Sequence, residues 1–144
     1  MPRRRRSLVV CMLLLLAVFS AIVSLAQVTI QRHDIVLNSG WEFRQLDSGE
    51  WRPAQVPGDV HLDLLRNKLI PDPFYRDNEA KLQWIENADW EYRTTIQATP
   101  DVLGHKSIEL VFEGLDAYAK VYLNEQLVLT ADNMFREWRV NVKP

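Results

Sequence analysis

From Ile108 to Val142 apolar and polar residues alternate with a period of two, in runs too short and too closely punctuated for helices. Ile108, Leu110 and Phe112 oppose Glu109, Val111 and Glu113; Ala119, Val121 and Leu123 oppose Lys120 and Tyr122. Leu127 and Leu129 oppose Val128 and Thr130, and Trp138, Val140 and Val142 oppose Arg139 and Asn141. Successive side chains of a strand point to opposite faces, so each run reads as a strand with one buried side. Two earlier runs repeat the pattern. Trp41, Phe43 and Gln45 face away from Glu42, Arg44 and Leu46, and Trp90, Tyr92, Thr94 and Ile96 face away from Glu91, Arg93 and Thr95. Asn38-Ser39-Gly40, Ser48-Gly49, Pro57-Gly58, Pro100-Asp101 and Gly114 supply the turn residues between runs. That makes six strands, and Trp51 to Val56 offers a seventh.

One segment is helical in pattern. Asp59 is a capping residue, and Val60, Leu64 and Leu65 fall on one side of a short helix ending about Lys68. The chain shows no β-α alternation, repeat or linker after residue 26. Many short strands with little helix predict an all-β chain, a jelly-roll β-sandwich. A jelly roll uses about eight strands, so the sandwich is expected to be incomplete at its C-terminal end.

The first 26 residues have a different character. Arg3 to Arg6 form a charged n-region, Leu8 to Leu25 carry no charge, and Ser24-Leu25-Ala26 fits a signal-peptidase site. Residues 1–26 are therefore expected to be an export signal, with 27–144 forming one truncated sandwich domain. A retained membrane anchor is the alternative, because the uncharged run is long enough to span a bilayer. The expected location is periplasmic or extracellular, or lysosomal in a eukaryote. Arg5-Arg6-Ser7 also leaves a twin-arginine route open. Cleavage would remove four arginines and take the formal charge from −2 to −6, which argues against a nucleic-acid partner. Cys11 is the single cysteine and would leave with the signal, so stability must come from a core rather than a disulfide.

Asn38-Ser39-Gly40-Trp41-Glu42-Phe43, Val56-Pro57-Gly58-Asp59-Val60-His61, Ile70-Pro71-Asp72-Pro73-Phe74-Tyr75-Arg76-Asp77-Asn78-Glu79 and Asp89-Trp90-Glu91-Tyr92-Arg93 succeed one another in an order and spacing that resembles the opening of a glycoside hydrolase family 2 β-mannosidase. Phe112-Glu113-Gly114-Leu115-Asp116, Val121-Tyr122-Leu123-Asn124 and Asp132-Asn133-Met134-Phe135-Arg136 continue the likeness to its N-terminal sugar-binding domain. The resemblance covers nearly all of Leu37 to Val142. It implies a galactose-binding-domain-like sandwich beside a downstream catalytic barrel of the same polypeptide. It further implies that the parent hydrolyses terminal β-mannosides with retention and needs no cofactor. One departure is local: the family's Asn-Gly hairpin turn is Asn124-Glu125 here, and Glu is poor at positive φ. The other is larger. Neither the barrel's two glutamates nor its Trp-Asp-Trp-Gly-type segment has a counterpart in these residues.

Retaining glycosidases place two carboxyl groups about 5–5.5 Å apart. Asp72, Asp77, Glu79, Glu86, Asp89, Asp116 and Asp132 are available, but acids on a sandwich are mostly solvated surface, and no catalytic residue is assigned. His33, His61 and His105 show no metal-ligand spacing, so no metal is assigned either. Trp41, Trp90 and Trp138 lie on apolar strand faces and are expected in the core. The substrate-binding candidates are Asp132, Asn133 and Arg136, whose polar groups suit sugar hydroxyls, and Trp84, which comes after the Asp-Pro-Phe-Tyr loop. Met134 and Phe135 are equally well read as packing against another domain, as are Phe74 and Tyr75. Asn78 and Glu79 are expected to cap the segment that begins at Ala80. Two other readings of the chain stay open: a free-standing carbohydrate-binding module, and a protein-interaction sandwich without sugar affinity.

Overall fold

The structure, a computed structural model, describes residues 32–46 and 49–143. The expected signal peptide lies outside them. The chain divides into two units, Met1–Val36 and Leu37–Pro144. In the first, the described residues are exposed coil with an Arg32–Asp34 ion pair at 2.6 Å.

The second unit holds seven strands among the described residues. They are β1 (Glu42–Gln45), β2 (Arg52–Pro53), β3 (Trp90–Arg93), β4 (Glu109–Phe112), β5 (Ala119–Leu123), β6 (Gln126–Ala131) and β7 (Trp138–Asn141). All six expected strands form, and the optional seventh shrinks to two residues because Pro53 has no N–H to extend the ladder. Pairing is antiparallel throughout, in three sheets ordered β2-β1-β3, β4-β7 and β5-β6.

The β5–β6 hairpin is nested between β4 and β7. Phe112 pairs with Trp138, and Ala119 pairs with Ala131. That register brings the β4–β5 connection (113–118) and the β6–β7 connection (132–137) to the same end. A Cβ at Gly114 would lie 3.6 Å from the Met134 carbonyl oxygen, so the two loops run side by side.

The hairpin turn corrects one expectation. Leu123 pairs directly with Gln126, so Asn124-Glu125 does form a two-residue turn. Both take positive φ, 49° and 67°, as the type I′ turn of a twisted hairpin demands. The ladder on either side outweighs the strain at Glu125. Further along β6, the register slips between Val121 and Tyr122, leaving Val128 as an extra residue. This bulge reverses the expected alternation: Leu127 is half exposed, and Val128 and Leu129 are both partly buried.

Helix α1 (Val60–Arg66) matches the capping expectation, with Asp59 Oδ1 accepting from the Leu62 N–H at 3.0 Å. The short helices α2 (Asn78–Leu82) and α3 (Pro100–Gly104), and a 3-10 turn over Gln83–Asn87, were not expected. Asn78 and Glu79 do not cap α2. Asp77 holds the cap position without a side-chain bond, and Asn78 Nδ2 instead donates back to the Asp72 carbonyl at 2.9 Å. Pro100-Asp101 is not a plain turn but the first turn of α3, capped by Thr99 Oγ1.

The buried core lies between the β2-β1-β3 sheet and this helical stretch. Phe43, Leu64, Ile70, Leu82 and Ile85 form it, with Ala54, Val60, Leu65, Trp90 and Tyr92 against its margin. Phe43 is the centre, 1% exposed, with the rings of Trp90 and Tyr92 at 6.1 and 5.7 Å. Each buried aliphatic or aromatic side chain is worth about 1.5–3 kcal/mol.

Candidate functional site

The candidate residues Asp132, Asn133 and Arg136 stand in the exposed β6–β7 loop. The loop shapes itself through local hydrogen bonds. Asn133 Oδ1 accepts from the Phe135 N–H at 2.8 Å, a side-chain-closed turn. The Trp138 indole N–H donates to the Asn133 carbonyl at 3.0 Å, clamping the loop to the start of β7. Arg136 lays its guanidinium 4.1 Å from the centre of the Trp138 ring. Trp138, expected in the core, is therefore a half-buried clamp for this loop.

These contacts define the chemistry still on offer. The Asn133 carbonyl oxygens, side chain and backbone, already accept bonds, whereas its Nδ2 donors face no partner among the described residues. Asp132 makes no hydrogen bond or ion pair there. Arg136 is held flat by the indole with its five N–H donors free of any carboxylate among the described residues. An acceptor, an amide donor and an oriented guanidinium thus share one five-residue segment with Met134 and Phe135 exposed between them.

Trp84 belongs to a different element. It sits on the 3-10 turn, 43% exposed, with its ring 6.0 Å from Trp90. Trp90 is fixed in turn by its indole N–H donating to the Ile85 carbonyl at 3.1 Å. No hydrogen bond or ring contact joins Trp84 to the 132–137 loop among the described residues.

A polar cluster that sequence reasoning missed surrounds Asp63, fully buried on α1. Its Oδ1 accepts from the Gln55 N–H and from Arg66 Nη1, each at 3.0 Å, and its Oδ2 accepts from the Tyr92 hydroxyl at 3.1 Å. Burial, reinforced by the Asp63 charge and hydrogen bond, pushes the Tyr92 phenol far above its usual range. Every partner is protein, and the carboxylate has no exposed edge. The cluster ties α1 to β3 and to the chain after β2, and is read as framework. A helical Asp next to Leu64 looks like a solvent-facing residue, so periodicity could not have found it.

On the outer face of the first sheet, Arg44 pairs with Glu91 at 2.7 Å and Arg93 with Glu42 at 2.9 Å, directly across the β1–β3 ladder. Both guanidiniums also lie over Trp51, at 4.4 and 3.8 Å. Two oppositely directed pairs covering an indole form a satisfied surface, not an open platform for a ligand. Asp72 and Asp116 accept backbone N–H bonds within their own turns, and Asp77 pairs with Lys81 at 3.1 Å.

Comparison with known proteins agrees with this geometry. The family described as glycosyl hydrolase 2 galactose-binding domain-like matches residues 41–144. "Beta-mannosidase B" of Thermothelomyces thermophilus is 44% identical over 111 residues, 75% of this chain and 13% of its own length. The protein of the same name from Emericella nidulans is 42% identical over 113 residues, 74% of this chain and 13% of its own. The crystal structure of a β-D-mannosidase from Dictyoglomus thermophilum superposes with a TM-score of 0.72 at 48% identity, covering 74% of this chain and 13% of that one. The chain thus spans 13% of the length of each of these relatives. The expected β-sandwich class holds, with short helices packed on one sheet. From the first strand through the exposed loop before β7, fold and sequence alike say that the chain belongs to the glycosyl hydrolase 2 galactose-binding domain-like family.

Proposed function

We propose that this chain is the N-terminal, non-catalytic sandwich of an exported β-mannosidase that removes terminal β-linked mannose with retention. The observation that carries this reading is 42–48% identity to proteins named β-mannosidase, sustained over the sandwich and accompanied by a TM-score of 0.72. In this reading the reacting carboxylates belong to a catalytic barrel of the same polypeptide, and no cofactor takes part. The sandwich braces that barrel. It also walls one side of the pocket for the terminal sugar, where Asp132, Asn133 and Arg136 hydrogen-bond hydroxyls and Trp84 offers a ring face. Residues 1–26 act as the export signal, which puts the enzyme in the periplasm, outside the cell or, in a eukaryote, in the lysosome.

The test uses the whole polypeptide encoded by the gene. Proton NMR of an aryl β-mannoside digest is expected to show β-mannose as the first-formed anomer. Arg136→Ala is expected to raise KM about tenfold, the loss of one charge-assisted hydrogen bond of about 1.5 kcal/mol. First-formed α-anomer would overturn retention. An unchanged KM would remove Arg136 from the pocket.

A further inference from the structure

Two phenylalanines stand almost fully in water, Phe74 at 94% and Phe135 at 90% exposure. Each is held by the same local device. The Phe74 N–H donates to Asp72 Oδ1 at 2.9 Å, and the Phe135 N–H donates to Asn133 Oδ1 at 2.8 Å. Each also has an arginine shortly after it seated on a neighbouring ring, Arg76 at 5.0 Å from the Tyr75 ring centre and Arg136 at 4.1 Å from that of Trp138. Loops that merely connect elements do not fix a large apolar ring outward; a slack loop would fold it down onto the surface. Here side-chain acceptors two residues upstream set the backbone that presents the ring. The conformational cost of ordering these residues is already met before any partner arrives.

We propose that Phe74 and Phe135 are docking anchors that insert into apolar hollows, rimmed by carboxylates, on the catalytic module of the same polypeptide. The inference rests on the β-mannosidase reading and gives that partner a point of attachment. Three observations favour this occupant. The relatives carry this domain as 13% of a longer chain, so a covalently tethered partner is at hand. Each ring is bordered by an arginine that suits an acidic rim. Aromatic residues, Met and Arg, the composition of these two loops, are the residues enriched where proteins meet.

The experiment compares Phe74→Ala and Phe135→Ala in the full-length protein and in residues 1–144 alone. In the short chain both rings are exposed, so each variant is expected to melt within about 1 °C of wild type, in keeping with surface substitutions. In the full-length protein each is expected to lower the docked-to-undocked ratio about 30-fold, the effect of truncating a hot-spot aromatic. The readout is the rate at which a protease releases the sandwich, with catalytic activity recorded in parallel. Release rates equal to wild type would overturn the anchors while leaving the β-mannosidase reading intact. Equal destabilisation of the short chain would also overturn them, since the rings would then belong to the domain's own core. Absence of β-mannosidase activity in the wild-type full-length protein, or an open frame closing at codon 144, would remove the proposed partner and the reading with it.

Discussion

Asp63 is the fully buried charge among the described residues, and the fold accommodates it by giving its carboxylate three donors from three segments. Removing it would leave the Gln55 N–H and the Tyr92 hydroxyl without partners inside the protein. Asp63→Ala is therefore expected to lower stability by about 2–4 kcal/mol, measured by urea denaturation. Tyr92 gives a matching pH dependence. Its folded-state value lies above the ordinary tyrosine value near 10, so the fold favours the protonated phenol. The stability it contributes is complete below about pH 10 and falls as the pH climbs past it. The gap in stability between wild type and Tyr92→Phe is thus expected to narrow from pH 8 to pH 11; a constant gap would mean the phenol does not couple to folding. None of this was legible in the sequence. A lone Asp and a lone Tyr 29 positions apart carry no periodic signal, and only the β1–β3 pairing brings them together. Trp138 misled for a related reason: it lies on the apolar face of its strand, yet its ring is turned to hold the loop before it.

At the scale of elements, the strands were the legible part because alternation survives even in four-residue runs. The helices α2 and α3 are five residues each and too short for a 3.6-residue period to show. Thr99-Pro100 was a readable start signal for α3, a capping hydroxyl with proline next to it at the first helical position. The β5–β6 turn shows a pairing preference outweighing a local one. Glu125 is held at φ 67° because cross-strand pairing fixes the two-residue connection. Glycine removes the Cβ clash there, so Glu125→Gly is expected to stabilise the domain by about 1 kcal/mol in thermal unfolding. A loss of stability would show that the Glu125 side chain makes a contact that matters more than its backbone strain.

Across the whole second unit, burial is uneven. The β2-β1-β3 sheet and the helices share one core, whereas Ala131 is the fully buried apolar residue among the described ones beyond β3. Tyr118, Tyr122, Leu127, Met134 and Phe135 are all exposed, and Tyr118, Met134 and Phe135 stand on the paired loops at the same end as Asp132 and Arg136. A domain so arranged presents one finished half and one surface rich in apolar groups, which is the distribution expected of a part that works against a neighbour. The candidate site was legible to the extent that the 132–136 loop could be picked out by its mixture of polar and aromatic residues. Its clamp by Trp138 and its proximity to Gly114 come from strand register, which no short motif encodes. The central claim is that the domain serves a β-mannosidase without performing the chemistry. The direct measurement is release of 4-nitrophenol from 4-nitrophenyl β-D-mannopyranoside, by the 144-residue chain and by the gene's entire product in parallel. Release by the entire product and none by the 144-residue chain is the predicted result; turnover by the short chain, or an entire product inert toward the mannoside, would contradict it.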